Sequence, residues 1–370
     1  MPKKPKELLL MIPGPITVSP EVLNVMGEPV RAHYGDEFRD TYNEITAMLA
    51  RLFATQGDVF LMVGSGSCAI DTCFGSAFSS GEKVLVGING FFGERLAAIA
   101  RGYNLQVIEV RAEFGKPISL EAVKTALKEH PDASGFAVVH LETSTTIVNP
   151  IKDYGAICRE HGILYFVDTV SSLGGLPVYM DEWGIDLCAS ASQKCLGSPP
   201  GLAPVAVGGR GWQFIDRQPD KGHGWYTNLR TWRQYKKDWA DWHPYPVTLA
   251  TNNILALMTS LEHLLEEGVE QRMQRYRCLA LYLRKRLREI GWQPYTSDEM
   301  LAPVITAAYG PAGVPTGKVI HYMESEHQIK IAGGLGPLKD KIIRIGHMSP
   351  IVSETLLDRV VDALAGYHED

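Results

Sequence analysis

A chain of 370 residues has room for one large and one small domain, and 45% hydrophobic with 21% charged residues is ordinary for a soluble globular enzyme. The net charge of −6 comes with Lys and Arg dispersed rather than run together, which argues against nucleic acid or an anionic membrane as a partner. No apolar stretch approaches the ~20 residues of a membrane span. The six cysteines (Cys68, Cys73, Cys158, Cys188, Cys195, Cys278) have no metal spacing and read as small buried hydrophobes in a reducing, cytoplasmic compartment.

In chain order, Lys3, Lys4 and Lys6 precede the apolar run Leu8–Ile12, which is shorter than the ~7–15 residues of a secretion signal and predicts a solvated tail entering the first ordered segment. Seven strand-like runs follow: Val59–Val63, Lys83–Gly87, Leu105–Val110, Phe136–Leu141, Ile163–Asp168, Asp186–Ser190 and Ala203–Gly208. They are rich in Val, Ile, Leu and Phe without alternation, as expected for strands covered on both faces. Helical patterns lie between them, among them Cys68–Ser79, Phe92–Gly102, Leu120–Glu129 and Asp153–Glu160. The alternation predicts an α/β fold with a mostly parallel central sheet and crossover helices, whose ligands bind at the carboxyl ends of strands. Residues 211–246 carry five tryptophans and predict a packed surface segment or a subunit interface. A long helical pattern from Asn253 to Ile290 is interrupted near Gly268, and the remainder reads as a small α+β domain. The expected division is an N-terminal arm at 1–20, a large domain at 21–265 and a small domain at 266–370.

The chemistry concentrates on Lys194, which follows the sixth run among small residues, and on Asp168, which closes the fifth. A lysine in a partly desolvated pocket has a lowered pKa and becomes nucleophilic. Paired with a carboxylate that can keep a pyridine nitrogen protonated, it suits pyridoxal 5′-phosphate. Between the first run and its helix, Gly64-Ser65-Gly66-Ser67 forms a turn whose backbone N–H groups can approach a phosphate. The turn is weak evidence alone and gains weight from Asp168 and Lys194 on the same sheet. Arg344, in the alternating stretch Ile342–His347, is placed on a buried edge as a bidentate clamp for a carboxylate. His33, His140, His243 and His347 lack metal-ligand spacing, and no metal site is expected.

These stretches, with Pro13-Gly14-Pro15, Val167–Gly175, Ser192-Gln193-Lys194, Gly333–Gly336 and Arg344-Ile345-Gly346, together resemble the class V aminotransferases of PLP fold type I, most closely the alanine–glyoxylate and serine–pyruvate group. The resemblance implies Lys194 as the Schiff-base lysine and Asp168 as the partner of the ring nitrogen. It implies Ser65, Gly66, Ser67 and Gln193 at the phosphate, Thr143 at the ring hydroxyl, and Phe92 and Val170 on the two ring faces. Tyr245 and Thr248 would reach the phosphate from the partner of a homodimer. Arg344 would bind the substrate carboxylate, with Gly14 and Tyr34 also at the substrate. The implied reaction is transamination between a small amino acid, alanine or serine, and a 2-oxo acid, glyoxylate or pyruvate. Ser67 and Phe92 depart from the histidine and tryptophan found in many members, and Leu335 stands where pyridoxamine–pyruvate aminotransferases carry an arginine. Two alternatives are a cysteine desulfurase-like lyase, for which only Cys278 offers itself, and a PLP-binding protein without catalysis.

Overall fold

In the computed structural model, residues 8–219 and 223–368 are described; Lys3, Lys4 and Lys6 lie outside them. All seven runs read from composition form one sheet. Its strands are β1 (Asp58–Val63), β2 (Lys83–Ile88), β3 (Gln106–Arg111), β4 (Gly135–Val139), β5 (Leu164–Asp168), β6 (Leu187–Ala189) and β7 (Leu202–Val207). The order across the sheet is β1-β7-β6-β5-β4-β2-β3. Only β7 runs antiparallel to its neighbours. The physical reason lies in the link from β6. It carries no helix, so β7 returns beside β6 instead of crossing over.

Burial follows position. The inner strands β4 to β7 are buried at every residue, whereas β3, at the sheet edge, exposes three of its six residues. The expectation that every run is covered on both faces therefore fails at β3, because an edge strand has one neighbour and a partial helical cover. The fourth run also stops short. Its strand ends at Val139, and Leu141–Glu142 turns away to pair with Ile147–Val148.

Helices Thr251–Glu267 and Val269–Glu289 are separated by Gly268, which sits at φ 89°, a conformation that suits glycine. Beyond them a second, antiparallel sheet is built from β8 (Gln293–Pro294), β9 (Ile305–Tyr309), β10 (Ala332–Gly333) and β11 (Ile342–Gly346), ordered β8-β9-β11-β10. Arg344 therefore lies on an inner strand rather than on an edge. Leu9–Leu10 pairs in parallel with Ile329–Lys330, and Gly346 N–H donates to Met11 O at 2.9 Å. These bonds hold the N-terminal strand on this second unit and deliver Pro13–Pro15 to the main sheet.

The tryptophan-rich segment folds as helices Gly209–Arg217 and Leu229–Asp238 with their flanking turns. Trp232 is fully buried, while Trp225 and Trp242 are about half exposed at 51% and 49%. Among the cysteines, Cys278 departs from expectation: it is exposed on its helix, and Cys68 is only partly buried.

The helix Ile151–Glu160 packs so closely that a Cβ at Gly155 would run into the backbone carbonyl oxygen of Trp183. Alanine ordinarily improves a helix interior by ~1 kcal/mol over glycine. Here overpacking against an immovable carbonyl dominates, and Gly155→Ala is expected to destabilise by ~1–3 kcal/mol. A thermal midpoint that falls in the variant checks this; a rise would show that the helix can shift.

Candidate active site

The carboxyl ends of the parallel strands open into a cavity of about 320 Å³, with Asp168 and Lys194 in its wall. Asp168 ends β5, and the turn after β6 carries Gln193 and Lys194. The turn after β1 supplies Ser65, Gly66 and Ser67, the last two opening helix Gly66–Ala77. Phe92 and Arg95, from helix Phe91–Gly102, and Val170 and Gly14 complete the wall named here.

Lys194 is buried, with 9% of its surface exposed, and its Nζ donates to the carbonyl oxygen of Pro13. Burial brings its pKa down to about 8, and the charges of Arg344 and Arg95 push the same way against Asp168. Gly14 is required here for space and for backbone. At φ 107° it sits where L side chains are strained, and a Cβ would lie 2.5 Å from Lys194 Cδ and 2.7 Å from Nζ.

Asp168 is equally buried. Burial raises its carboxyl to about 6; the Val170 N–H, donating to Oδ1 at 2.8 Å, pulls it down, and the nearby Glu142 pushes it up. At Gly66 a Cβ would meet Val170 Cγ2 at 2.7 Å, so glycine alone lets the turn after β1 pack against Val170. Thr143 Oγ1 and Gln193 Oε1 are buried without a hydrogen-bond partner among the described residues. An orphaned buried polar atom costs ~1–3 kcal/mol. Two such atoms, at and beside one cavity, fit a polar ligand.

Arg344 approaches from the second sheet. Its Nε donates to Gly333 O at 2.8 Å and its Nη1 to Thr143 O at 3.1 Å, with no carboxylate partner among the described residues. Burial lowers its pKa to about 10, which Glu142 partly opposes. Thr143 and Arg344 thus stand next to the cavity wall. Neither lines the cavity itself, and three further expected residues do not line it either. Tyr34 is half exposed; Tyr245 is buried against Tyr42 with its hydroxyl donating to His33 O; Thr248 is exposed.

Two residues that sequence reasoning passed over belong to this region. Arg95 lies one turn after Phe92, a spacing that puts both on one helix face. Its guanidinium stands 5.0 Å from the Phe92 ring centre and 5.2 Å from that of Phe91. Glu142 left no local signal for its hold on the helix, because Phe92 and Gly93 are some fifty residues away along the chain. His140, His243 and His347 are buried, as expected of core histidines, and no group of three side chains suited to a metal ion occurs among the described residues. No described helix is long and apolar enough to cross a membrane.

Comparison with known proteins identifies the family of the chain. The sequence model of the family described as Aminotransferase class-V matches residues 19–336, and the chain belongs to that family. An uncharacterized aminotransferase of Methanocaldococcus jannaschii is 39% identical over 340 residues, covering 92% of this chain and 87% of the relative. The crystal structure of an alanine–glyoxylate aminotransferase from Nostoc sp. superposes with a TM-score of 0.94 at 33% identity, covering 99% of this chain and 96% of the other. A ureidoglycine–glyoxylate aminotransferase from Bacillus subtilis gives the same TM-score at 30% identity, with 99% and 94% covered. The solved relatives have the PLP type I fold, and this chain shares it.

The depressed pKa of Lys194 is directly measurable. In cofactor-free protein, its modification by an amine-selective reagent should rise through a midpoint near pH 8, as Nζ loses its proton, rather than near the usual 10.5 of a solvated lysine. Peptide mapping of the modified site across pH checks this; a midpoint above 10 would mean that Nζ is solvated.

Proposed function

We propose that the protein is a pyridoxal 5′-phosphate-dependent transaminase that moves the amino group of a small amino acid, alanine before serine, to a small 2-oxo acid, glyoxylate before pyruvate. The observation that carries this reading is the meeting of a buried, low-pKa lysine and a buried carboxylate in one cavity beside orphaned hydroxyl and amide groups. The names of the Nostoc and Bacillus relatives support glyoxylate as acceptor, and the former supports alanine as donor.

Bound in this cavity, the cofactor supplies an amine-capturing aldehyde and a ring that takes up the electrons left when a substrate Cα loses its proton. The backbone N–H groups and hydroxyls of Ser65, Gly66 and Ser67 would hold its phosphate at the start of helix Gly66–Ala77, with Gln193 beside them. Asp168 would hold a proton on the ring nitrogen, and that cation would in turn draw the Asp168 carboxyl down from about 6 toward its ionised form. The Thr143 hydroxyl would satisfy the ring hydroxyl, while Phe92 and Val170 would cover the two faces and exclude water. Lys194 Nζ, near pH 8, is poised to accept the Cα proton and return it. Arg344 spends two donors on Thr143 and Gly333, leaving the rest of its guanidinium for a substrate carboxylate. Gly14 keeps the space around Nζ open, and Tyr34 would stand at the substrate entrance.

The same reading takes the active unit as a homodimer, in which Tyr245 and Thr248 serve the partner's phosphate. Its support is that both lie off their own chain's cavity, and that Tyr34, Trp225, Trp239 and Trp242 leave a broad aromatic surface exposed nearby on the chain. It puts a boundary between large and small domains near residue 265 and, given free cysteines of which four are buried, the protein in the cytoplasm.

The test is the visible spectrum of purified protein titrated with single amino acids. Alanine should convert the bound cofactor to its aminated form and glyoxylate should restore it; ureidoglycine acting in place of alanine would move the donor assignment. A cofactor band that no amino acid shifts overturns the transaminase reading. Lys194→Ala should keep the cofactor but lose turnover by ~10³-fold or more, and retained turnover would exclude Lys194. Arg344→Lys should raise KM for donor and acceptor by ~10–100-fold while the cofactor band stays in place; equal KM values would remove Arg344 from the carboxylate site.

A further inference from the structure

Helix Phe91–Gly102, which carries Phe92, begins at Gly90, a residue with no side chain to cap it. Its first three N–H groups are nevertheless all satisfied. Phe91 N–H donates to Ser144 Oγ at 2.9 Å, and Phe92 and Gly93 N–H donate to Glu142 Oε2 at 2.9 and 3.0 Å. Glu142 Oε1 receives two more bonds, from Ser144 N–H at 3.0 Å and Ser144 Oγ at 2.6 Å. Four donors converge on one fully buried side chain, and their hydrogen bonds hold its carboxyl down against the burial that raises it.

The surroundings are built to this carboxylate. A Cβ at Gly90 would run into the Glu142 side chain and lie 2.5 Å from Ser144 Oγ. Gly90 itself is near-extended at φ 174°, so its missing side chain answers to space rather than to backbone conformation. The segment is anchored further by Thr145 Oγ1 donating to Asn89 O at 3.2 Å, and by the Asn89 and Asn149 amides bonding reciprocally at 3.1 Å. The residue after Glu142 is Thr143, whose carbonyl accepts from Arg344 and whose hydroxyl is orphaned. One short segment therefore holds the aromatic wall of the cavity with a side chain and the arginine with a carbonyl.

We propose that Glu142 is a positioning residue that sets Phe92 and Thr143 at one fixed spacing, so that the cavity is shaped for a flat ring before any ligand enters. This rests on the transaminase reading above. It also explains why a carboxylate is retained deep in the protein beside Asp168, whose own charge it disfavours. Were capping the only need, a serine or asparagine at position 90 would serve. Such a cap would not tie the helix to the segment that carries Thr143.

Glu142→Gln replaces one acceptor with a donor and leaves at least one N–H facing it unpaired, in the helix or at Ser144 according to which way the amide turns. Gly90→Ala leaves the charge in place and displaces it sterically, so it tests the same idea if the first variant fails to fold. Each variant and the wild type are stripped of cofactor and titrated with pyridoxal 5′-phosphate. The visible circular dichroism of the loaded proteins and amide exchange at residues 91–93 are then recorded. We expect cofactor binding weakened by about tenfold or more, an altered dichroic band from a reoriented ring, and faster exchange at 91–93. Folded variants that match the wild type in affinity and dichroism overturn the inference, even if their thermal midpoints fall. A wild type that takes up no pyridoxal 5′-phosphate overturns the transaminase reading as well, and so is distinguished from failure of this inference alone.

Discussion

The constraint on which the site depends is desolvation. Lys194 and Asp168 are an amine and a carboxylate taken almost fully out of water in the same cavity, and burial is the largest influence on each. It lowers the amine and raises the acid, so each is shifted toward its uncharged form near neutral pH. Burial disfavours the charged form of both groups. A ligand that takes up the amine and presents a cation to the carboxylate relieves both strains at once. Local geometry serves this arrangement. Gly14 gives Lys194 room, the Pro13 carbonyl accepts a hydrogen bond from its Nζ, and Val170 N–H holds Oδ1 of Asp168.

The sheet decides where these groups meet. Parallel strands bring their carboxyl ends to one side, and each connecting turn then adds one short polar element to a common rim. The turn after β1 brings small residues and exposed N–H groups, β5 brings the acid, and the turn after β6 brings the lysine. The single antiparallel strand, β7, follows from the helix-free link that holds Lys194. That link hydrogen-bonds like a hairpin, with Ser190 and Ser192 N–H donating to Pro204 and Leu202 carbonyls at 2.8 and 2.9 Å. The lysine is thus held by strand pairing on both sides, which suits the catalytic role proposed for it.

The groups proposed for substrate recognition come from further away. Arg344 comes from the second sheet, and Pro13–Pro15 come from a strand clamped on that sheet by bonds to Lys330 and Gly346. The two units therefore contribute opposite sides of one small space. Carboxylate binding by Arg344 would tighten the bridge it already makes to Thr143, which lies next to the buried Glu142. On the proposed reading, chemistry and recognition meet in the segment Leu141–Thr145.

Much of this was legible in the chain itself. The inner strands β4 to β7 announce themselves as apolar runs, because a strand buried on both faces has no polar side to interrupt the pattern. Asp168, Lys194 and the Gly-Ser turn are readable for a related reason: each sits directly at the end of such a run, where a parallel sheet must put its ligands. The exposed edge strand β3 and the early end of β4 were not legible, since neighbours in the sheet, not composition, decide which faces are covered. Arg95 carried a weak signal in its helical spacing from Phe92, and Glu142 carried none. Its role comes from bonds to residues 92 and 93 across the fold, and no local pattern encodes a cap donated from so far along the chain. The sequence by itself determined the elements and the reactive pair, because short-range hydrophobicity and side-chain chemistry are local properties. Only the tertiary structure decided the burial that shifts Lys194 and Asp168, the reach of Arg344 and the grip of Glu142, because desolvation and long-range hydrogen bonds exist only once distant segments are packed together.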